Sequence, residues 1–158
     1  MQKITTFLWF DNNAEEAINL YTSVFKNSKI KEISRYGDAG PGPKGSVMTA
    51  TFQLEGQDFI ALNGGPHFKF TEAISLVVNC ETQQEVDDLW NKLTANGGAE
   101  SQCGWLKDKF GLSWQITPTI LSKLMGDKDA AKAQRVMMAM LKMKKIDIKA
   151  LQDAYDGK

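Results

Sequence analysis

Three side chains in this sequence could take part in acid–base or nucleophilic chemistry, namely His67, Cys103 and Asp108. A reactive cysteine needs a cationic neighbour or a helix N-terminus to lower the pKa of its thiol, and neither is evident beside Cys103. A small buried apolar side chain is the simpler interpretation of that residue. His67 lies in a Gly-Pro loop, where exposure is the norm. The three residues are therefore weak candidates for catalysis.

Cys103 and Asp108 belong to a segment, residues 103–116, whose pattern predicts a β-hairpin. Asp108 opens the turn and Gly111 supplies the positive φ that closes it. After the turn, apolar and polar residues alternate as in a strand with one buried face: Leu112, Trp114 and Ile116 against Ser113, Gln115 and Thr117. We expect the apolar set to pack on a core, the polar set to face a wet cavity, and Pro118 to end the strand.

The rest of the chain places this hairpin in a repeated pattern of strands and helices. Apolar runs and alternation predict four strands in the first part, at residues 4–10, 30–36, 47–54 and 59–63. An amphipathic helix capped by Asn12 or Asn13 follows the first of them. The same order begins again with a strand at 73–79 and a helix capped by Thr82, and it closes with the hairpin. Only a stub of strand fits between Gly98 and Cys103, so we expect a shortened second module.

The hairpin resembles the last hairpin of the vicinal-oxygen-chelate superfamily, which includes glyoxalase I, bleomycin-resistance proteins and extradiol dioxygenases. Cys103-Gly104-Trp105, the Asp-x-x-Gly turn and the pair Trp114-Gln115 are most similar to its PhnB-like branch, often labelled "3-demethylubiquinone methyltransferase-like". The resemblance implies an α+β fold in which two paired βαβββ modules form a curved mixed sheet with a concave cavity, followed by C-terminal helices. We also expect a small-molecule ligand and a homodimer.

On this interpretation, residues 1–118 form the paired-module domain, with modules at about 1–65 and 71–118. Residues 119–158 are a helical extension of the same domain, with a short helix at 119–125 and a longer one at 127–143. The resemblance implies that the PhnB-like branch shares this extension. Its methionine-rich part, residues 136–143, indicates a helix that covers its own sheet edge or a sister subunit.

Side-chain direction decides which residues line the expected cavity. In the first strand we assign Thr6 and Leu8 to the cavity and Phe7 and Trp9 to the helix side, and a one-residue slip would reverse the assignment. The full set of expected ligand contacts is Thr6, Leu8, Thr49, Thr51, Asn63, Ser75, Trp105 and Gln115. The glycine-rich loop 37–45 is expected to be a flap over the cavity. It gives no support to nucleotide or S-adenosylmethionine binding, because it contains prolines and leads into an alternating strand.

Enzymes of the superfamily hold a metal with His or Glu at four inward positions. The resemblance implies that those positions correspond to Thr6, Ala61 (or Asn63), Ala73 and Gln115 in this sequence. A divalent metal needs several imidazole, thiolate or carboxylate donors, and these side chains offer none. We therefore expect no metal and no cofactor.

Composition narrows the classes of function further. A chain of 158 residues suits one domain with a sizeable core. Nineteen basic residues balance nineteen acidic ones, so no net field attracts nucleic acid or anionic lipid. No apolar run approaches the roughly 20 residues of a membrane span, the N-terminus has no signal-peptide pattern, and the two cysteines make no disulfide framework. We expect a cytoplasmic protein.

Three functions stay open at this point. In the first, the cavity binds a small amphipathic molecule without chemistry. In the second, the chain is an enzyme that uses His67, Cys103 or Asp108, or a cofactor that the residues do not reveal. In the third, it is an interaction module that acts through its C-terminal helix.

Overall fold

The computed structural model describes residues 2–158, which contain five α-helices and two four-stranded mixed sheets. The α+β fold expected from the sequence is confirmed. The chain divides into two compact units, one ending at Phe70 and the other comprising Thr71–Lys158. No helix among the described residues has the length and apolar character that crossing a membrane requires.

The first unit has the order β-α-β-β-β. Its elements are β1 (Thr6–Phe10), α1 (Ala14–Val24), β2 (Ser28–Arg35), β3 (Val47–Leu54) and β4 (Gln57–Asn63). The spatial order is β1-β4-β3-β2, with β1 parallel to β4 and the other pairs antiparallel. Apolar side chains at helical spacing on α1 pack on one face of this sheet, and the resulting core includes Ile18, Tyr21, Phe52, Phe59 and Ala61.

The second unit repeats this order and adds three helices. Its elements are β5 (Ser75–Cys80), α2 (Gln83–Thr94), β6 (Ala99–Glu100), β7 (Trp105–Lys107), β8 (Ser113–Pro118), α3 (Thr119–Met125), α4 (Ala130–Met140) and α5 (Ile148–Asp156). The spatial order β5-β8-β7-β6 matches that of the first sheet. The expected shortening is confirmed, because β6 has only two residues. The hairpin β7–β8 and its end at Pro118 are confirmed as well.

The expected direction of the β1 side chains is wrong. Leu8 lies beside Ala61 in the sheet register and is 4% exposed in the core, whereas Phe7, on the opposite face, is 54% exposed. Thr6 lies beside the buried Phe59 and shares the core face with Leu8. Because most of this strand is apolar, alternation alone cannot show which face the helix covers, and the neighbouring strands decide it.

The helical tail, residues 119–158, has a small core of its own and is anchored to α2 and the hairpin. Leu121, Leu124, Val136, Ile146 and Leu151 form that core. The Gln83 amide donates to the Ile146 carbonyl at 3.0 Å and accepts from the Ile148 N–H at 2.8 Å. The Cys103 and Gly104 N–H groups donate to the carbonyls of Met143 and Lys144 at 2.8 and 2.7 Å. The tail is therefore an integral part of the second unit.

At both ends, α4 is shorter than the helix expected at 127–143. Asp129 caps its start by accepting from the Ala131 N–H at 3.0 Å. At the other end, the carbonyls of Met143 and Lys144 bind the hairpin. Gly104 is required at that contact, because its φ is +83° and a Cβ there would lie 2.9 Å from the Ile116 carbonyl oxygen.

Replacing Gln83 tests how much this anchoring contributes. Gln83→Ala removes three part-buried hydrogen bonds, two of them to the tail and one to Asp87 within α2. We expect the free energy of unfolding in urea to fall by about 1–2 kcal/mol. The adjacent Gln84 is the matched control, because its exposed amide bonds only within its own helix, to Asp88 at 2.9 Å. Gln84→Ala is expected to cost about 0.5 kcal/mol or less. Equal losses from the two variants would contradict the anchoring role.

Candidate functional site

The face of the second sheet that its helix does not cover carries a set of neutral polar side chains. This helix-free face, which we call face 2, comprises Ser75, Val77, Asn79, Trp105, Lys107, Ser113, Gln115 and Thr117. The opposite face packs on α2 through Leu106, Trp114 and Ile116, all buried. The alternation expected for β8 is therefore confirmed, but the expected contact of Ser113 with water is wrong, because that residue is 1% exposed.

Cross-strand contacts link the polar groups of face 2. The Gln115 Nε2–H donates to the Ser75 Oγ at 2.9 Å. Gln115 lies between Val77 and Trp105 in the strand register, and Val77 is 53% exposed. An amide–hydroxyl pair thus lies beside apolar surface, which is an arrangement suited to a molecule with one polar and one apolar part.

The charged member of face 2 is already paired. Lys107 forms a salt bridge with Glu72 at the sheet surface. The hydrogen bond from Lys107 to the Glu72 side chain holds the pKa of that carboxyl below its usual value. Face 2 therefore presents hydroxyl and amide groups and little net charge.

The helix-free face of the first sheet, which we call face 1, is more apolar than expected. It comprises Phe7, Trp9, Glu32, Ser34, Thr49, Thr51, Ile60 and Leu62. Thr49 and Thr51 lie where the alternation of β3 places them, and the Thr49 hydroxyl bonds that of Ser34 at 2.7 Å. Phe7 and Trp9 were missed as surface residues of this face because the direction of β1 was misassigned.

Trp9 is held in one orientation by the segment that follows β4. Its Nε1–H donates to the Gly65 carbonyl at 2.9 Å, and the Phe68 ring meets the indole edge-on with centroids 4.9 Å apart. A Cβ at Gly64 would lie 2.3 Å from the indole, so only glycine allows this approach. The Gly64-Gly65 pair was the sequence signal that could have pointed to a fixed aromatic ring on face 1.

Asn63 lies away from both helix-free faces and has a structural role. Its Oδ1 accepts from the Ala14 N–H at 2.9 Å, at the start of α1, and its Nδ2–H donates to the Val47 carbonyl at 3.0 Å. The expected cap from Asn12 or Asn13 is wrong, because Asn13 holds the N-cap position without a side-chain hydrogen bond. The end of β4 lies against the helix start and supplies the acceptor instead.

Asp108 holds the β7–β8 turn rather than a substrate. Its Oδ1 accepts from the N–H groups of Phe110 and Leu112 at 2.9 and 3.1 Å, and its Oδ2 accepts from the Trp114 Nε1–H at 2.9 Å. The residue is 2% exposed. A buried carboxylate needs such donors to offset its lost hydration, so these bonds account for its position.

The other two catalytic candidates belong to different units, and Cys103 is separated from Asp108 within the second. His67 is an exposed residue of the first unit. Cys103 precedes β7 and Asp108 follows it, so the two lie at opposite ends of that strand. Cys103 is half-buried with a φ of +58°, and its N–H anchors the tail. Burial raises the pKa of the Cys80 thiol to about 12, so that thiol is unreactive at neutral pH.

The four positions at which the resemblance places metal ligands do not suit a metal in this structure. Ala61 is fully buried in the core, Thr6 shares its face, and Ala73 lies on the exposed segment before β5. Gln115 offers only an amide. Across residues 2–158, no group of three or more His, Cys, Asp or Glu side chains is placed to hold a metal ion. The donors present do not fit a divalent cation.

The glycine-rich loop between β2 and β3 packs on one aromatic ring. A Cβ at Gly40 or at Gly42 would lie 2.5 or 2.4 Å from Tyr36, so both glycines allow close contact with that ring. The Tyr36 hydroxyl donates to the Asn63 carbonyl at 2.6 Å. The loop thus covers a buried tyrosine of the first unit.

Comparisons with known proteins agree with this fold. The chain belongs to the family described as 3-demethylubiquinone-9 3-methyltransferase, whose model matches residues 2–117. The PhnB protein from Bacillus cereus is 47% identical over 75% of this chain and 100% of its own, with a TM-score of 0.70. A protein from Pseudomonas aeruginosa is 22% identical over 75% of this chain and 98% of its own, with a TM-score of 0.62. The curated proteins contain no match.

A glyoxalase/bleomycin resistance protein from Albidiferax ferrireducens T118 is also similar, at 14% identity over 72% of this chain and 95% of its own, with a TM-score of 0.47. The expected resemblance to the PhnB-like branch is confirmed. The expectation that this resemblance extends over the helical tail is not confirmed, because the family match ends at residue 117.

Asn63→Ala tests the structural role of that side chain. The variant leaves the Ala14 N–H and the Val47 carbonyl without their partner, so we expect the free energy of unfolding to fall by about 2 kcal/mol. Asn13→Ala serves as the control, because Asn13 makes no capping bond with its side chain, and we expect about 0.5 kcal/mol or less. Urea unfolding of both variants measures the difference, and a larger loss in Asn13→Ala would contradict the assignment.

Proposed function

We propose that this protein binds a small, neutral, amphipathic molecule through the helix-free face of its second sheet and does so without a metal. The observation that carries the proposal is the Gln115–Ser75 hydrogen bond on face 2, beside Trp105 and the exposed Val77. Amide and hydroxyl groups orient a polar ligand group, while the indole and the aliphatic side chain offer apolar contact. On the first unit, taken by itself, Thr49 and Thr51 of face 1 are proposed as a separate pair of polar contacts.

The chemistry of these side chains favours a neutral ligand. Hydroxyls and amides donate and accept hydrogen bonds without adding charge. The cation of face 2, Lys107, is paired with Glu72, so it adds little attraction for an anion. A carbonyl, amide or hydroxyl group on the ligand matches these partners best.

Binding is better supported than catalysis by the candidate side chains. Acid–base or nucleophilic catalysis needs its groups within hydrogen-bond reach of one another and of the substrate. Both carboxylate oxygens of Asp108 are used within the hairpin. Cys103 lies at the far end of β7 from Asp108, and His67 is an exposed loop residue with no side-chain hydrogen bond or ion pair to residues 2–158.

We propose in addition that the protein is a cytoplasmic homodimer. Both cysteines are free, which suits a reducing compartment. Met137, Met138 and Leu141 leave large apolar side chains exposed on and just after α4. Contiguous apolar surface of this kind is typical of contacts with another chain.

Thermal melting with and without chelator tests the binding proposal. A ligand at about 100 times its Kd stabilises the folded chain by about 2.7 kcal/mol, which raises the melting temperature by about 5–10 °C in a protein of this size. We expect such a shift from a neutral aromatic carbonyl compound such as coumarin, and we expect it to be equal after treatment with EDTA.

Gln115→Ala should reduce this shift, whereas Gln134→Ala, at an exposed position of α4, should leave it unchanged. A shift that disappears with EDTA and returns with zinc would contradict metal-free binding. The absence of any shift across a panel of neutral amphipathic compounds would contradict the binding function itself.

A further inference from the structure

One side chain of face 2 is both buried and without a hydrogen-bond partner. The Ser113 hydroxyl is enclosed within the protein, the residue is 1% exposed, and no partner for its Oγ exists among residues 2–158. A buried hydroxyl without a partner costs free energy, because it has lost its bonds to water and gained none in return. The placement of such a group on a polar face therefore points to a partner from outside the chain.

Ser113 belongs to the same cluster of neutral groups as the Gln115–Ser75 pair. It lies directly opposite Ser75 in the register of β5 and β8, and two residues before Gln115 on the same face. Neighbouring strands of a sheet lie only about 4.8 Å apart. One polar group of a ligand can therefore reach both hydroxyls at once.

We propose that the Ser113 hydroxyl donates a hydrogen bond to a neutral carbonyl oxygen of the ligand, and that this bond selects carbonyl compounds over hydrocarbons of the same shape. The inference rests on the function proposed above and names the ligand class for face 2. The Ser75 hydroxyl accepts from Gln115, so its own proton is free to reach the same carbonyl oxygen. The apolar part of the ligand then lies along Trp105 and Val77.

Because Ser113 is enclosed, a neighbouring side chain has to move before a ligand reaches it, and Lys107 is the candidate directly opposite on β7. It faces Ser113 across β7 and β8, and its ammonium group pairs with Glu72. The two charged side chains are 43% and 60% exposed. Exposed side chains change rotamer readily, so the two can shift together and keep their ion pair.

The choice between carbonyl and anionic ligands follows from the same groups. A carboxylate or phosphate would require an unpaired cation or a cluster of backbone N–H donors to replace its hydration. The polar groups within one or two residues of Ser113 are the Ser75 hydroxyl, the Gln115 amide and the already paired Lys107. A neutral acceptor needs only the hydroxyl donors.

Two probes and two variants test this inference on the full-length protein. Coumarin and naphthalene have nearly the same bicyclic shape, but only coumarin carries a carbonyl. We expect the wild type to bind coumarin at least fivefold more tightly than naphthalene, as measured by quenching of tryptophan fluorescence and by calorimetry. In Ser113→Ala, we expect the Kd for coumarin to rise about 5- to 10-fold and the Kd for naphthalene to stay within twofold.

Ser28→Ala provides the matched control, because within residues 2–158 Ser28 carries the other buried hydroxyl without a partner, and it belongs to the first unit. Without ligand, both variants should melt at the wild-type temperature or slightly above it, since each removes an unsatisfied polar group. Only Ser113→Ala should lose affinity for coumarin.

Three outcomes would overturn the inference. If Ser113→Ala binds coumarin as tightly as the wild type while Gln115→Ala binds it weakly, Ser113 has no role and the binding function stands. If Ser113→Ala melts well below the wild type and loses both probes equally, its role is structural. Failure of the wild type to bind either probe would overturn this inference, whereas the binding function would fall only if the wider panel also gave no shift.

Discussion

The carboxylate of Asp108 is the interaction on which the arrangement of face 2 depends. By accepting two backbone N–H groups of the turn and the indole N–H of Trp114, it fixes the turn and directs Trp114 into the core. Side chains alternate along a strand, so Trp114 in the core places Ser113 and Gln115 on the opposite face. A slip of one residue would bury the polar residues and expose the tryptophan, and the bonds to Asp108 oppose that slip.

The same hairpin is held from its other end by the tail. Cys103 and Gly104 bond to the backbone at Met143 and Lys144, and Gln83 bonds to the backbone at Ile146 and Ile148. In the first unit, β2 has eight residues, whereas its counterpart β6 in the second unit has only two. The tail therefore supports the module in which the strand pair β6–β7 is short. The tail residues that make these bonds lie outside the family match.

Much of this fold could be predicted from sequence, and the failures have physical causes. The β8 pattern separates polar from apolar residues cleanly, so its faces and its turn followed from periodicity. The β1 sequence Thr-Phe-Leu-Trp-Phe is apolar at four of five positions, so periodicity carried no information about direction. Thr6 and Leu8 were therefore assigned to the wrong face.

Long-range contacts explain the other failures. Asn63 caps a helix that begins 49 residues earlier in the chain, and no local pattern reports such a contact. The bonds from Gln83 to the tail span more than 60 residues. The unpartnered hydroxyl of Ser113 is a property of the packed structure, because it depends on what covers the side chain, which alternation does not specify.

The most direct test of the central claim, that neutral side chains of face 2 bind the ligand, is an NMR titration of isotope-labelled protein with coumarin. The claim predicts shifts of the Gln115 side-chain amide, the Trp105 indole N–H and the backbone amides of Ser75 and Ser113. Shifts confined to the methyl groups of Met137 and Met138 on α4 would contradict it and place binding on the tail.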